Sequence, residues 1–163
     1  MSLKRSRKPE PEEARDPARV RAKALALLAR REHSAQELRS KLLGRGYEST
    51  AVEAVLSSLQ GQSLLSDVRF VQEFVAARVR RGSGPLKIRA ELQGRGVTGE
   101  LMEKAVAGLK AASAQGAEAA RRKRFGTDLP KDMPERARQA RFLQQRGFSM
   151  EDIRKALKGD LED

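Results

Sequence analysis

From Val20 onward, apolar side chains recur three and four positions apart, and no stretch alternates apolar and polar residues one by one. That is the pattern of helices with one buried face, not of strands. A first helix is expected over about Pro17 to Arg31, with Val20, Ala24, Leu27 and Leu28 on its apolar side. Ser34-Ala35-Gln36-Glu37 then has the form of a capping box, in which the hydroxyl accepts from a backbone N–H and the carboxylate reaches back. Leu38, Leu42 and Leu43 form the apolar side of the helix that it opens. Gly44 and Gly46 flank its end, where a left-handed residue is wanted. A third helix carries Val52, Val55, Leu56 and Leu59, and stops near Gly61.

The same phrase then returns. Leu38-x-x-x-Leu42-x-Gly44-Arg45-Gly46-Tyr47 is echoed fifty residues on by Ile88-x-x-x-Leu92-x-Gly94-Arg95-Gly96-Val97. A third statement, Gln139-x-x-x-Leu143-x-x-Arg146-Gly147-Phe148, lies one residue further out of step. The register persists beyond the glycine, where Val52, Met102 and Ile153 coincide, as do Leu56, Val106 and Leu157. A period of this length holding three helices predicts an all-α array of three tandem three-helix repeats. The expected division is a disordered charged tail over 1–17, then repeats over 18–63, 64–112 and 113–163.

The copies differ in detail. Gly84-Pro85 stands where Ser34 opened the first copy, and Phe70, Phe74, Val75 and Val79 give the second copy the richest apolar face. The third opens on an alanine-rich, basic helix around Ala117 to Phe125, and a loop holding Pro130 and Pro134 is expected after it. Residues 111–116 are expected to link the second copy to the third. The third copy is expected to be the least stably packed.

Composition turns the array toward an acidic partner. The chain has 163 residues, with 34 Lys+Arg against 22 Asp+Glu and a formal charge of +12. Such an excess favours nucleic acid or an acidic protein surface. Mean hydropathy is −0.64, and the apolar run Ala24 to Ala29 is too short to span a bilayer. The N-terminal stretch lacks the apolar segment of a secretory signal, so a cytoplasmic location and no membrane contact are expected. Without cysteine there is no disulfide, thiolate zinc site or cysteine nucleophile. Aromatic platforms for stacking bases are scarce, with five Phe, one Tyr and no Trp.

Candidate chemistry is correspondingly thin. His33, the single histidine, lies in a turn beside Ser34 with no recurring polar partner, and an exposed turn residue is expected. Glu151–Asp152 has the look of helix N-terminal acids, and Asp67 of a cap or first-turn acid. Gly82-Ser83-Gly84-Pro85 and Gly44-Arg45-Gly46 follow no strand and lack the terminal Lys-Ser/Thr of a phosphate loop. No catalytic residue, cofactor or metal is expected. The arginines form the stronger pattern. Arg45, Arg95 and Arg146 recur just before the repeat glycine, while Arg78, Arg80, Arg81, Lys87 and Arg89 cluster around one turn of the second copy. Any one of these is explained as a helix-terminal cation. Together with the net charge, the set predicts an anion-binding face that works through phosphates.

Two segments carry a resemblance. ARREHSAQELRSKLLGRGY in the first copy and SDVRFVQEFVAARVRRGSGPLKIRAELQGRGV in the second resemble the RecX family, regulators of the RecA recombinase, over about residues 18–158. The resemblance implies a non-enzymatic, elongated and curved array of three-helix repeats that binds in the groove of the RecA–single-stranded DNA filament. It implies restraint of ATP hydrolysis, strand exchange and coprotease action, with roles in DNA repair, homologous recombination and the SOS response. Partners would be the RecA nucleoprotein filament, single-stranded DNA and, through phosphates, double-stranded DNA, with the protein itself a monomer. The binding face would comprise Arg45, Arg69, Arg78, Arg80, Arg81, Lys87, Arg89, Arg95 and Arg146. The competing reading is a stand-alone basic helical DNA-binding protein that does not touch RecA.

Overall fold

The structure, a computed structural model, describes residues 7–158, and every regular element among them is helical. A short helix, α1 (Pro11–Arg15), precedes three sets of three: α2 (Pro17–Leu28), α3 (Ala35–Gly44) and α4 (Ser49–Gly61); α5 (Asp67–Arg80), α6 (Pro85–Gly94) and α7 (Gly99–Lys110); α8 (Ser113–Phe125), α9 (Met133–Gln145) and α10 (Met150–Lys158). By packing, the chain divides into two compact units. One holds Met1–Val71 with Arg95–Val97, the other Gln72–Gly94 with Thr98–Asp163.

Four sequence expectations change. Part of the expected disordered tail is helical: α1 packs on α2 and α4, and the Glu48 amide donates to the Ala14 carbonyl at 2.9 Å. Its residues 1–6 lie outside the described residues. α2 ends at Leu28, three residues early. α8 begins at Ser113, inside the expected linker, because the Ser113 hydroxyl is anchored on the Asp152 carboxylate at 2.6 Å. Pro134 lies within the first turn of α9, where a missing N–H costs nothing, and Asp132 caps that helix by accepting from the Glu135 amide at 2.8 Å.

In the first unit, α2, α3 and α4 close around Val20, Ala24, Leu38, Leu42, Val52, Leu56 and Leu59, with Leu25, Leu28 and Tyr47 packed at the margin. In the second, α8, α9 and α10 enclose Ala117, Leu143, Phe148, Ile153, Ala156 and Leu157, while α6 packs on α7 with Ile88, Leu92, Met102 and Val106 buried. Where the first two copies bury Leu38 and Ile88, the third buries Gln139. Its Nε2 donates to Glu135 at 3.3 Å and its Oε1 has no hydrogen-bond partner among the described residues. An unsatisfied buried oxygen is a cost that an apolar side chain there would avoid.

The repeated Arg-Gly turn has a second role beyond ending a helix. Gly96 and Gly147 are both left-handed, with φ of +78° and +92°. In the first unit, the turn at Arg95–Val97 rests on the start of α3: the Ser34 hydroxyl donates to the Arg95 carbonyl at 2.5 Å, and a Cβ on Gly96 would collide with Gln36. In the second, the turn at Gly147 rests on the start of α6. The Gly84 amide donates to the Arg146 carbonyl at 2.7 Å and the Leu86 amide to the Gly147 carbonyl at 3.0 Å. A Cβ on Gly147 would lie 2.5 Å from the Lys87 nitrogen. In each unit an Arg-Gly turn thus seats on the start of an earlier helix, α3 in the first and α6 in the second.

Candidate functional site

Ser34 caps α3 as expected, its oxygen accepting from the Glu37 amide at 3.0 Å. The other half of the box is not made. Glu37 turns to cations instead, pairing with Arg31 at 2.5 Å and Arg95 at 2.8 Å, with Lys41 at 3.7 Å. Burial pushes the Glu37 carboxyl up, but the Arg31 hydrogen bond and the charges of Arg31 and Arg95 outweigh it and hold it below its ordinary value. The backbone N–H of Ala35 is taken up by the Asp67 carboxylate at 2.7 Å, so that acid serves a neighbouring helix as well as opening its own.

His33 is not exposed; it is 2% accessible, which corrects the sequence expectation. Nδ1 lies 3.0 Å from the Arg31 carbonyl and Nε2 lies 3.1 Å from the Lys41 ammonium. The ammonium can only donate, so the ring is neutral with its proton on Nδ1. Loss of water lowers its basicity most, and the charges of Arg31 and Lys41 lower it further. The ring acts as a packed polar strut between the Arg31 carbonyl and the Lys41 ammonium. Among the described residues no group of His, Cys, Asp and Glu is arranged to hold a metal ion.

The nine basic residues expected on a binding face fall into two groups. Arg45, Arg69 and Arg95 belong to the first unit, the other six to the second. Several are engaged within the fold. Arg69 pairs with Glu32 at 2.8 Å, Arg89 with Glu103 at 2.7 Å, and Arg95 with Glu37. Arg78 pairs with Glu91 and lies 4.6 Å over the Phe74 ring. Arg146 donates to the Arg81 carbonyl at 2.9 Å and stacks 5.2 Å from Phe142. Arg45 follows the last residue of α3 as its C-cap. Arg80, Arg81 and Lys87 are exposed and form no ion pair with a described residue. They bracket one tight turn, between the end of α5 and the first turn of α6.

Sequence reasoning missed a neighbouring set in the same unit. α8 ends in Arg122, Lys123 and Arg124, and α9 presents Arg138 and Arg141 around the Phe125–Phe142 pair, whose rings meet edge to face at 5.3 Å. Arg138 lies 5.3 Å over Phe125. The signal was Arg121–Arg124, the longest unbroken run of cations in the chain, but it falls outside the repeat phrase. Arg121 itself points inward, is 1% accessible, and donates to the Asp128 carbonyl at 2.9 Å.

Comparison with known proteins places this arrangement. Models of the first, second and third three-helix domains of RecX match residues 21–59, 66–106 and 114–157. The chain is 42% identical over 144 residues to the regulatory protein RecX of Halorhodospira halophila, covering 88% of this chain and 89% of that one. It is 43% identical over 145 residues to the regulatory protein RecX of Pseudomonas tolaasii, covering 88% and 94%. The crystal structure of RecX from Lactobacillus salivarius superimposes with a TM-score of 0.73 at 16% identity over 91% of this chain and 97% of that one, a likeness of fold. Three helical triplets, the Arg-Gly turns that seat them and these matches make the chain a member of the RecX family of regulatory proteins.

Proposed function

We propose that the chain regulates RecA, mainly as an inhibitor, by lying in the groove of the RecA–single-stranded DNA filament and restraining ATP hydrolysis, strand exchange and coprotease action. Membership of a family of regulatory proteins supports a role in control rather than catalysis. The observation that carries the reading furthest is the turn between α5 and α6. Arg80, Arg81 and Lys87 stand there exposed and without a carboxylate among the described residues, while Arg78, Arg89 and Arg95 are neutralised by glutamates. Unneutralised cations are the ones that gain from phosphate or an acidic protein surface, since a paired arginine must first lose its partner.

In this reading the chain acts as a cytoplasmic monomer. Its repeats span 18–63, 64–112 and 113–163, and it touches protein and DNA phosphate together. Among the described residues no helix is long and apolar enough to cross a membrane. A pull-down of purified RecA, with and without nuclease, tests the partner. Retention of RecA after nuclease treatment is the expected result. Retention only when DNA survives would favour the stand-alone DNA-binding alternative.

A further inference from the structure

The second unit carries a cleft of about 610 Å³, within the usual size range of ligand sites, roughly 300–1,000 Å³. Its floor is apolar: Val79, Ile88, Leu109, Gly116, Ala120 and Phe148. Val79, at the end of α5, remains 49% accessible, so apolar surface there is left for a partner to cover. Around that floor stand Arg80, Arg81, Lys123, Arg124 and Arg146, and among the described residues no carboxylate lines the cleft. Of these, Arg80, Arg81 and Lys123 enter no ion pair with a described residue.

We infer that this cleft receives an apolar side chain carried on an acidic segment of a partner protein. The floor removes apolar surface from water, and the rim supplies the opposite charge to the flanks of the incoming segment. Small residues on and just before α8, Ala112, Gly116 and Ala119, let a helix or extended segment approach closely, as in groove recognition of an amphipathic helix. A nucleobase is the poorer fit. Stacking needs an open aromatic face, whereas Phe142 already carries Arg146 on its ring and meets Phe125 at its edge, and Phe148 is 4% accessible. The inference rests on the cleft alone and holds whichever protein supplies the segment.

Fluorescence anisotropy on the full chain tests it with three labelled probes. The first is a helical peptide of about 18 residues, with leucines spaced three and four apart among glutamates and aspartates. The second is the same peptide with serine for leucine, and the third an oligothymidylate of about 20 nucleotides. The leucine peptide is expected to bind saturably, and the serine peptide roughly tenfold more weakly or worse. Ala119→Trp fills the cleft without changing charge and is expected to cost the leucine peptide roughly tenfold while sparing the oligothymidylate. Equal binding of the two peptides would overturn the inference, reducing the site to charge alone. So would an Ala119→Trp variant of unchanged helicity that binds the leucine peptide normally, or one that loses the oligothymidylate instead. If Ala119→Trp loses helicity by circular dichroism, the comparison of the two peptides on the wild-type chain decides.

Discussion

The Ser34 hydroxyl accepts from the Glu37 amide at 3.0 Å and donates to the Arg95 carbonyl at 2.5 Å, joining positions 61 residues apart. One oxygen thus caps a helix and holds the turn that closes the next copy's second helix. A hydroxyl has both a donor and two acceptor sites, so neither bond excludes the other. Ser34→Ala leaves the Glu37 amide and the Arg95 carbonyl without their partner, and is expected to cost about 2–3 kcal/mol. Urea unfolding followed by circular dichroism measures it. A loss below about 0.5 kcal/mol would show that the seat does not depend on this oxygen.

The same seat predicts that two glycines of the chain respond oppositely to alanine. Gly147 has φ of +92°, and its Cβ would meet backbone, the Lys87 nitrogen at 2.5 Å. Relief requires moving the start of α6, so Gly147→Ala is expected to destabilise by more than about 2 kcal/mol. Gly44 ends α3 in helical conformation, and a methyl group on its Cα would meet nothing within 4 Å. Gly44→Ala is therefore expected to stabilise by up to about 1 kcal/mol. Thermal melts of the two variants provide the comparison.

Acid should weaken the first unit in two steps. The buried His33 ring is held below its ordinary 6.5, so the unfolded chain takes up its proton first; the stability of the neutral ring is whole above that value and falls as pH drops below it. Glu37 is held below its ordinary 4.5, so its contribution is whole above that value and is lost as pH falls through the lower, folded one. Urea midpoints measured from pH 8 to pH 3 are expected to decline first below about 6.5 and again below about 4.5. His33→Gln should remove the upper step and leave the lower. An upper step that survives this substitution would assign it to another group.

Helix type and repeat period were legible because both rest on local chemistry. Leu38, Leu42, Ile88, Leu92 and Leu143 are all fully buried, at the positions that the repeated phrase marks. The partner of Glu37 was not legible. A capping box needs only neighbours along the chain, whereas Arg95, which takes one oxygen of that carboxylate, becomes a neighbour only in the folded first unit. His33 went the same way: nothing beside it in sequence forecasts burial beneath Lys41 and the Arg31 carbonyl. The candidate site was half legible. Recurrence drew attention to Arg95, which the fold pairs with Glu37, and to Arg146, which lines the cleft, and away from Lys123 and Arg124, which stand beside Arg146 there.

RecA's DNA-dependent ATP hydrolysis, measured on single-stranded DNA while the purified chain is titrated to equal amounts, is the most direct test of regulation. Hydrolysis is expected to fall with wild-type chain. The variant Arg80→Glu, Arg81→Glu, Lys87→Glu should need roughly tenfold more protein for the same effect, with unchanged helicity. An ATPase rate that stays flat across the titration would contradict regulation of RecA. Equal potency of the variant would remove the α5–α6 turn from the interface.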